Sequence, residues 1–319
     1  MVTLDDIKQA QSLLRGVAVR TPVLEWTGAT AKRKLFLKLE NLQPIGAFKL
    51  RGAYNKISSF SEEERSRGVV SYSSGNHAQG VAYAARALGL KAVIVMPGNT
   101  PKNKLAATAA LGAEIITVGP GSEERRIRAE QLAAEHGYVI VPPYNDEKII
   151  AGQGTVGLEI LEDLPGVETV LAPVGGGGLI SGISTAIKLS NPKIKIIGVE
   201  PELAGDAKAS LKAGHIVSFE AEQVTQTLAD GLRTQSIGEA NFEHIRAYVD
   251  DIIGVKEDEI REATRALSGN PKTLAEPSGA VTVAAFMFHS GELPRTTTNV
   301  AVISGGNIEP QVLAEIRRT

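Results

Sequence analysis

Short runs of β-branched residues alternate with segments rich in alanine, leucine and glutamate along most of the chain. Runs such as GVVSYS, KAVIVM and AEIITV are each followed by a segment of helical composition, and the alternation resumes with VETVLAPV, KIKIIGVE, DIIGV and NVAVISGGN. This alternation predicts βαβ units, whose strands pair in parallel. Because the runs are almost continuously apolar, helices are expected to cover both faces of each sheet. The sequence therefore predicts an α/β protein built on mostly parallel, twisted sheets.

The length of the chain indicates how many domains it forms. At 319 residues it is long enough for about two domains. We predict a smaller domain over residues 67–143, inserted in a larger domain formed by residues 1–66 and 144–319.

The first predicted helix begins close to the amino terminus. In TLDDIKQAQSLL, Thr3 is placed to cap the helix, and Asp6 follows three residues later as in a capping box. The helical period then predicts one shared face for Ile7, Ala10, Leu13 and Leu14.

Composition and charge restrict the partners and the compartment of the protein. The formal net charge is -2 and no run of lysine or arginine occurs, which argues against a nucleic acid as partner. The absence of cysteine excludes disulfides, a thiolate nucleophile and a thiolate metal cage. The first residues are charged where a signal peptide is apolar, and no run approaches the roughly 20 apolar residues of a membrane span. We therefore expect a cytoplasmic protein that binds small molecules and no membrane.

Three stretches rich in glycine and serine follow predicted strands. They are SYSSGNHAQG at 71–80, PVGGGGLISG at 173–182 and ISGGN at 303–307. In parallel α/β sheets, ligands bind beyond the carboxyl ends of the strands. We expect the functional site where these stretches meet.

Four consecutive glycines lie between a predicted strand and a predicted helix. At such a junction, backbone N–H groups can converge on an anion with the helix dipole behind them, which predicts a phosphate site at Gly175, Gly176, Gly177 and Gly178. The alternative is a flexible surface turn. The segment does not match the G-x-G-x-x-G pattern, and no G-x-x-x-x-G-K-[ST] pattern occurs, so a smaller phosphorylated cofactor is favoured over a dinucleotide or a nucleoside triphosphate.

One lysine stands in apolar surroundings just after a Pro-x-Gly turn. Lys49 lies between Phe48 and Leu50 in PIGAFKLRGA. The alternative is that Lys49 and Arg51 form the solvated face of a helix that starts near Ala47. A lysine in apolar company, a separate phosphate site and a chain without thiols together suggest pyridoxal 5'-phosphate, which binds through a lysine.

Seven motifs in order carry a resemblance to a known family. GAFKLRGA, SSGNHAQG, GGGGLISG, GVEPELAGD, LADG, EPSGA and SGGN extend over nearly the whole chain. With them the chain resembles the fold-type II pyridoxal-phosphate enzymes of the threonine dehydratase and serine racemase family. The resemblance implies a fold like that of the tryptophan synthase β subunit, a cofactor in the cleft between two domains, and a homodimer.

The resemblance also implies which residues bind the cofactor. Lys49 would carry it covalently, Phe48 would pack beside the pyridine ring, and Asn76 would hydrogen-bond its 3'-oxygen. Ser304 would meet the pyridine nitrogen, although by its own sequence it could equally be a turn residue. The phosphate would be held by the glycine loop and the residue after it: Gly175, Gly176, Gly177, Gly178 and Leu179.

The segment SSGNH matches the substrate-binding segment of the family. The positions implied for the substrate carboxylate are Ser73, Asn76 and His77. Dedicated threonine dehydratases usually have alanine at the position of Ser74, whereas serine racemases have a second serine that acts as acid and base on the face opposite the lysine. The family's 3-hydroxyaspartate dehydratases also carry the serine pair. Two bases on opposite faces are what inversion at Cα requires.

The segment GVEPELAGD matches the divalent-cation site of the family. The resemblance implies that Mg²⁺ or Ca²⁺ is bound by the carboxylates of Glu200 and Asp206 and the carbonyl of Ala204. An all-oxygen set suits these hard cations. On spacing alone, a solvated acidic turn is the alternative.

These features predict a pyridoxal-phosphate enzyme that acts on small β-hydroxy amino acids. As a serine racemase and a serine and threonine ammonia-lyase, it would give D-serine, or a 2-keto acid and ammonia. A 3-hydroxyaspartate dehydratase is one alternative, and a pyridoxal-phosphate or amino-acid-binding protein without turnover is another. Two departures from the family concern substrate size: Ala47 stands where serine is common, and Tyr144 stands where serine racemase has an asparagine near the cofactor.

Overall fold

The computed structural model of the chain describes residues 1–30, 32–73, 75–100, 102–119 and 122–318. Its strands are β1 (Val23–Glu25), β2 (Lys34–Leu39), β3 (Val69–Tyr72), β4 (Ala92–Pro97), β5 (Glu114–Val118), β6 (Val139–Ile140), β7 (Thr169–Pro173), β8 (Lys195–Pro201), β9 (Asp251–Val255) and β10 (Thr298–Ile303). Within the described residues they form two sheets, and Ser74 lies outside those residues.

The helices connect and cover the strands. They are α1 (Leu4–Leu13), α2 (Lys49–Ser58), α3 (Glu62–Arg67), α4 (Asn76–Ala87), α5 (Lys102–Ala110), α6 (Ser122–His136), α7 (Glu147–Asp163), α8 (Gly178–Ser190), α9 (Asp206–Ala213), α10 (Ala221–Val224), α11 (Glu239–Tyr248), α12 (Glu257–Leu267), α13 (Pro277–Phe288) and α14 (Pro310–Arg318). Short 3-10 helices occupy Glu40–Leu42, Glu202–Ala204 and Asp230–Leu232. None of the described helices is long and apolar enough to cross a membrane.

The two sheets are mostly parallel, as predicted. The six-stranded sheet has the order β1-β2-β10-β7-β8-β9, and β1 pairs antiparallel with β2 while the other neighbours are parallel. The four-stranded sheet has the order β5-β4-β3-β6 with all neighbours parallel. The fold-class prediction is confirmed. The strands of the smaller sheet all fall within residues 69–140, while the division of the chain into domains stays a prediction.

Apolar cores lie on both faces of each sheet, which explains why the strands are apolar throughout. On the six-stranded sheet, α12 and α13 cover one face and α8 and α11 cover the other. On the four-stranded sheet, α2 and α4 pack on one face and α6 on the other. Because burial on both faces leaves no room for alternating polar side chains, the continuous apolar runs of the sequence are the signature of this arrangement.

Helix α1 confirms its predicted cap and corrects one predicted contact. Thr3 and Asp6 form the capping box, and Ile7, Ala10 and Leu14 are buried. Leu13, however, is 48% exposed, so its predicted place on the buried face is wrong. At about 100° per residue, Leu13 lies roughly 120° from Ile7 around the helix, whereas Leu14 returns to the same side.

Candidate active site

The lysine singled out in the sequence begins α2 and lies beside the end of β10. The backbone N–H of Phe48 donates to the carbonyl of Ser304 (3.1 Å), and Ala47 forms an isolated antiparallel bridge with Gly305. Two segments more than 250 residues apart in sequence therefore meet at Lys49. The structure brings Phe48, Lys49 and Ser304 together, as the site prediction requires.

The Lys49 ammonium faces the segment that returns from the smaller sheet to α7. Nζ donates to the carbonyl of Pro143 at 2.7 Å and lies 5.2 Å from the centre of the Phe48 ring. Burial lowers the pKa of Lys49 to about 8. An amine with this pKa loses its proton more readily than a solvated lysine does, which suits a group that must act as nucleophile and base.

Buried ion pairs anchor the helix that carries Lys49. The Arg51 guanidinium makes bidentate contacts with Glu40 (2.8 and 2.9 Å) and with Glu159 (2.7 and 2.9 Å), and Lys38 donates to Glu159 at 2.6 Å. Arg51 is 1% exposed, so the alternative of a solvated face shared with Lys49 is wrong for this residue. The forked geometry fixes the orientation of α2 as well as its position.

The side-chain amide of Asn76 is held from two sides. Its Nδ2 donates to Glu276 Oε1 (2.6 Å), and its Oδ1 accepts from Asn307 Nδ2 (2.8 Å). A Cβ on Gly305 would overlap the Glu276 carboxylate, so the turn after Ser304 needs glycine for this contact to form. Burial, followed by the charge of Asp230, raises the pKa of Glu276 to about 7. The orientation of Asn76 is therefore set by a carboxyl group that titrates near neutral pH.

The side chain of His77 is committed to the protein backbone. Nε2 lies 3.1 Å from the carbonyl of Val141, and burial, followed by the charge of Lys49, lowers the pKa of His77 to about 3. A neutral imidazole that donates to a carbonyl has no second N–H for a carboxylate. The backbone N–H groups at the start of α4 are better placed to bind one, because they have no partner within the helix. Ser73 precedes that turn, and its Oγ accepts from Gly75 N at 3.4 Å.

The glycine loop forms a buried turn between β7 and α8. Gly176, Gly177 and Gly178 are buried, and Gly177 has a φ of 94°. A Cβ on Gly176 would overlap the ring of Tyr144, and one on Gly175 would lie 3.2 Å from Leu232 Cα. The predicted alternative of a flexible surface turn does not fit this packing. The loop and the amide of Leu179 at the start of a 13-residue helix fit a phosphate.

The predicted cation site holds two buried acids. Glu200 accepts from the backbone N–H groups of Ala207 (3.1 Å) and Lys208 (2.8 Å), and Asp206 Oδ2 has no hydrogen-bond partner. Glu200 and Asp206 are each 1% exposed and Ala204 beside them is buried, so a solvated acidic turn is not what forms. Burial raises the pKa of Glu200 to about 8 and that of Asp206 to about 7. No cluster of three or more histidine or acidic side chains suited to a metal occurs in the described parts of the chain, so a cation would rest on these two carboxylates and backbone oxygen.

Sequence reasoning missed the residues that orient Asn76. Glu276 and Asn307 belong to the EPSGA and SGGN motifs, which were recognised without roles for these two side chains. The available signal was their position beside turn-forming residues, with Pro277 after Glu276 and two glycines before Asn307. Ser74, the predicted second base, lies outside the residues that the structure describes.

The lowered pKa of Lys49 predicts a pH dependence of stability in the cofactor-free protein. Between about pH 8 and 10.5 the unfolded chain keeps the lysine proton that the folded chain has lost, so the free energy of unfolding should rise with pH. The slope should approach at most about 1.4 kcal/mol per pH unit. Lys49→Met should remove this rise, measured by urea denaturation. The exposed Lys8→Met is the control and should keep it; equal slopes in wild type and Lys49→Met would contradict the prediction.

Comparison with known proteins gives the same family as the motifs. Residues 14–305 match the family model described as pyridoxal-phosphate dependent enzyme. The chain is 47% identical to an L-threonine ammonia-lyase of Thermotoga maritima over 99% of this chain and 78% of the other, and 42% identical to a catabolic L-threonine dehydratase of Escherichia coli over 99% and 96%. The structure of maize serine racemase superposes with a TM-score of 0.93 at 38% identity, covering 98% of this chain and 96% of the other. The chain therefore belongs to the family of pyridoxal-phosphate dependent enzymes.

Proposed function

We propose that the protein is a serine and threonine ammonia-lyase that also racemises serine. The observation that carries the proposal is Lys49, a lysine of lowered pKa whose neighbour Phe48 bonds to Ser304. Its Nζ donates to Pro143, and the next residue, Tyr144, packs against Gly176 of the glycine loop. The similarity to threonine ammonia-lyases and to a serine racemase supports the choice of substrates.

The residues of the site fit pyridoxal phosphate, and each would have a separate role in binding it or in the reaction. The glycine loop would hold the phosphate, Lys49 the covalent link, and Ser304 the pyridine nitrogen. When bound, the cofactor delocalises the electron pair left at Cα. The substrate carboxylate meets the N–H groups at the start of α4, and the uncharged Lys49 Nζ takes the proton from Cα. The β-hydroxyl then leaves as water, and hydrolysis of the resulting enamine gives a 2-keto acid and ammonia.

The alternative of a 3-hydroxyaspartate dehydratase needs a cation for the second substrate carboxylate. Lys104 is a cation close enough to influence Glu276, the partner of Asn76, but its ammonium is already paired with Asp230 at 2.7 Å and with Glu309 at 3.6 Å. A third carboxyl group, that of Glu276, lies close enough for Lys104 to influence its pKa. Because Lys104 is already paired with carboxylates, it is not a free cation for a second substrate carboxylate, which favours substrates with a neutral side chain.

Incubation with L-serine, D-serine, L-threonine and the 3-hydroxyaspartate isomers tests the proposed function. We expect keto acid and ammonia from L-serine and L-threonine, and D-serine from L-serine in a chiral separation. Lys49→Ala should abolish both products because it removes the base. Keto acid from 3-hydroxyaspartate alone would establish the alternative, and no turnover of any of these substrates would favour a binding protein.

Ser74→Ala should separate racemisation from elimination. Return of the proton from the face opposite Lys49 needs a donor there, whereas elimination from L-serine needs only the lysine and a leaving group. D-serine formation should fall by well over tenfold, in keeping with the roughly 10²–10⁴-fold contribution of a positioned acid or base. Pyruvate formation from L-serine should fall much less, and elimination from D-serine should collapse. Equal losses of both reactions from L-serine would contradict this role.

We also propose that Mg²⁺ or Ca²⁺ binds at Glu200, Asp206 and the carbonyl of Ala204. The support is chemical: two carboxyl groups with raised pKa values lie buried together, and one carboxylate oxygen has no partner. A hard cation would hold both groups ionised. The homodimer and the cytoplasmic location stay predictions from the sequence.

Removal of the cation should lower stability most at alkaline pH. In the metal-free protein, the folded state binds protons at Glu200 and Asp206 more tightly than the unfolded state does, so stability falls as pH rises toward about 8. Mg²⁺ or Ca²⁺ should therefore raise the melting temperature more at about pH 8 than at about pH 6. Asp206→Asn should lose the response, and the exposed neighbour Glu202→Gln should keep it. An unchanged melting temperature after exhaustive chelation, with metal shown absent by elemental analysis, would contradict a cation site.

A further inference from the structure

One lysine joins the helices of the smaller sheet to the loops of the larger one. Lys104 lies on α5, beside the four-stranded sheet, and its side chain is 18% exposed. Its Nζ is 2.7 Å from Asp230 Oδ2 and 3.6 Å from Glu309 Oε1. Both acids belong to the part of the chain that builds the six-stranded sheet. The ion pairs therefore connect the part of the chain that carries the smaller sheet to the part that carries the larger one.

The loop that receives Lys104 borders the proposed phosphate site. Asp230 begins the 3-10 helix Asp230–Leu232, where Gly231 N donates to Ser278 Oγ at 2.8 Å. Leu232 Cα lies 3.2 Å from the position that a Cβ on Gly175 would take, so the loop and the glycine turn are in direct contact. A movement of Asp230 would therefore displace a loop that contacts the proposed phosphate site.

The positive charge of Lys104 also offsets the negative charges near this loop. The negative charge of Asp230 raises the pKa of Glu276 and the positive charge of Lys104 lowers it, and Glu276 holds the amide of Asn76. If α5 moved away, three carboxyl groups would remain near one another without their cation. Mutual repulsion would then oppose the arrangement around Asn76.

We propose that Lys104 is a positioning residue whose pairs with Asp230 and Glu309 hold α5 against the Asp230–Leu232 loop and close the cleft over the substrate. The proposal rests on the proposed function only where turnover is used to report closure. The pair with Asp230 is partly exposed, at 18% for Lys104 and 40% for Asp230, so its contribution is modest and decreases with salt. It can form only when α5 and the Asp230–Leu232 loop approach each other. Its loss should weaken substrate binding more than the chemical step.

Lys104→Met tests the proposal, and Lys102→Met, an exposed lysine on the same helix, is the matched control. We expect KM for L-serine to rise roughly three- to tenfold with a smaller change in kcat. In hydrogen exchange of the holoenzyme with L-alanine, which lacks the β-hydroxyl leaving group, the amides of α5 should exchange faster in Lys104→Met alone. This second measurement needs no turnover, so it separates failure of the closure from failure of the proposed function.

A double-mutant cycle with Asp230→Asn assigns the effect to the contact. Asp230→Asn should reproduce most of the changes of Lys104→Met, because Glu309 is the more distant partner, and the double variant should be no worse than Lys104→Met. Fully additive effects would overturn the pairing. Wild-type exchange in α5 and wild-type KM for Lys104→Met would overturn the closure, and so would a fall in kcat with KM and exchange unchanged.

Discussion

The position of Lys49 depends on a charged group buried two residues away. Arg51 lies on α2 and is buried, and its guanidinium contacts the carboxylates of Glu40 and Glu159. Buried ion pairs contribute little net stability because both charges lose their hydration, but removing one partner leaves an uncompensated charge. Their effect here is therefore geometric. The helix can take only the one orientation that satisfies both carboxylates, and Lys49 at its first turn is fixed with it.

Close backbone contacts extend this constraint to the neighbouring helices. The backbone oxygen of Arg51 lies 2.7 Å from where a Cβ on Gly152 of α7 would be, and the backbone of Lys49 lies 3.1 Å from the corresponding position on Gly80 of α4. Glycines at these two places let three helices approach within van der Waals distance of the main chain. Helix α4 flanks the smaller sheet, so the main chain of Lys49 is in direct contact with the element that begins at Asn76.

The sequence predicted what local patterns determine and missed what distant residues determine. Continuous apolar runs indicated parallel sheets, and the glycine loop and Lys49 stood out by composition. The burial of Arg51 could not be predicted, because its partner Glu159 is 108 residues away and a charged side chain normally indicates a solvated face. The pairing of Lys104 with Asp230 is of the same kind, with 126 residues between them. Leu13 was misplaced for a different reason, since a short terminal helix buries a narrower face than its apolar residues suggest.

The carbonyl that receives Lys49 belongs to an unusual piece of main chain. Val141 accepts from His77, and Pro143 accepts from Lys49, with Pro142 between them. Each proline fixes its own φ and confines the residue before it to extended conformations, so Val141 and Pro142 have little rotational freedom even in the unfolded chain, and Pro143 keeps freedom only in ψ. The direction of the Val141 carbonyl is thus restricted by covalent sterics before any packing forms, whereas that of the Pro143 carbonyl also depends on ψ of Pro143, which the folded structure sets. Holding this segment rigid costs little conformational entropy on folding, because the rings of the two prolines already restrict the unfolded chain.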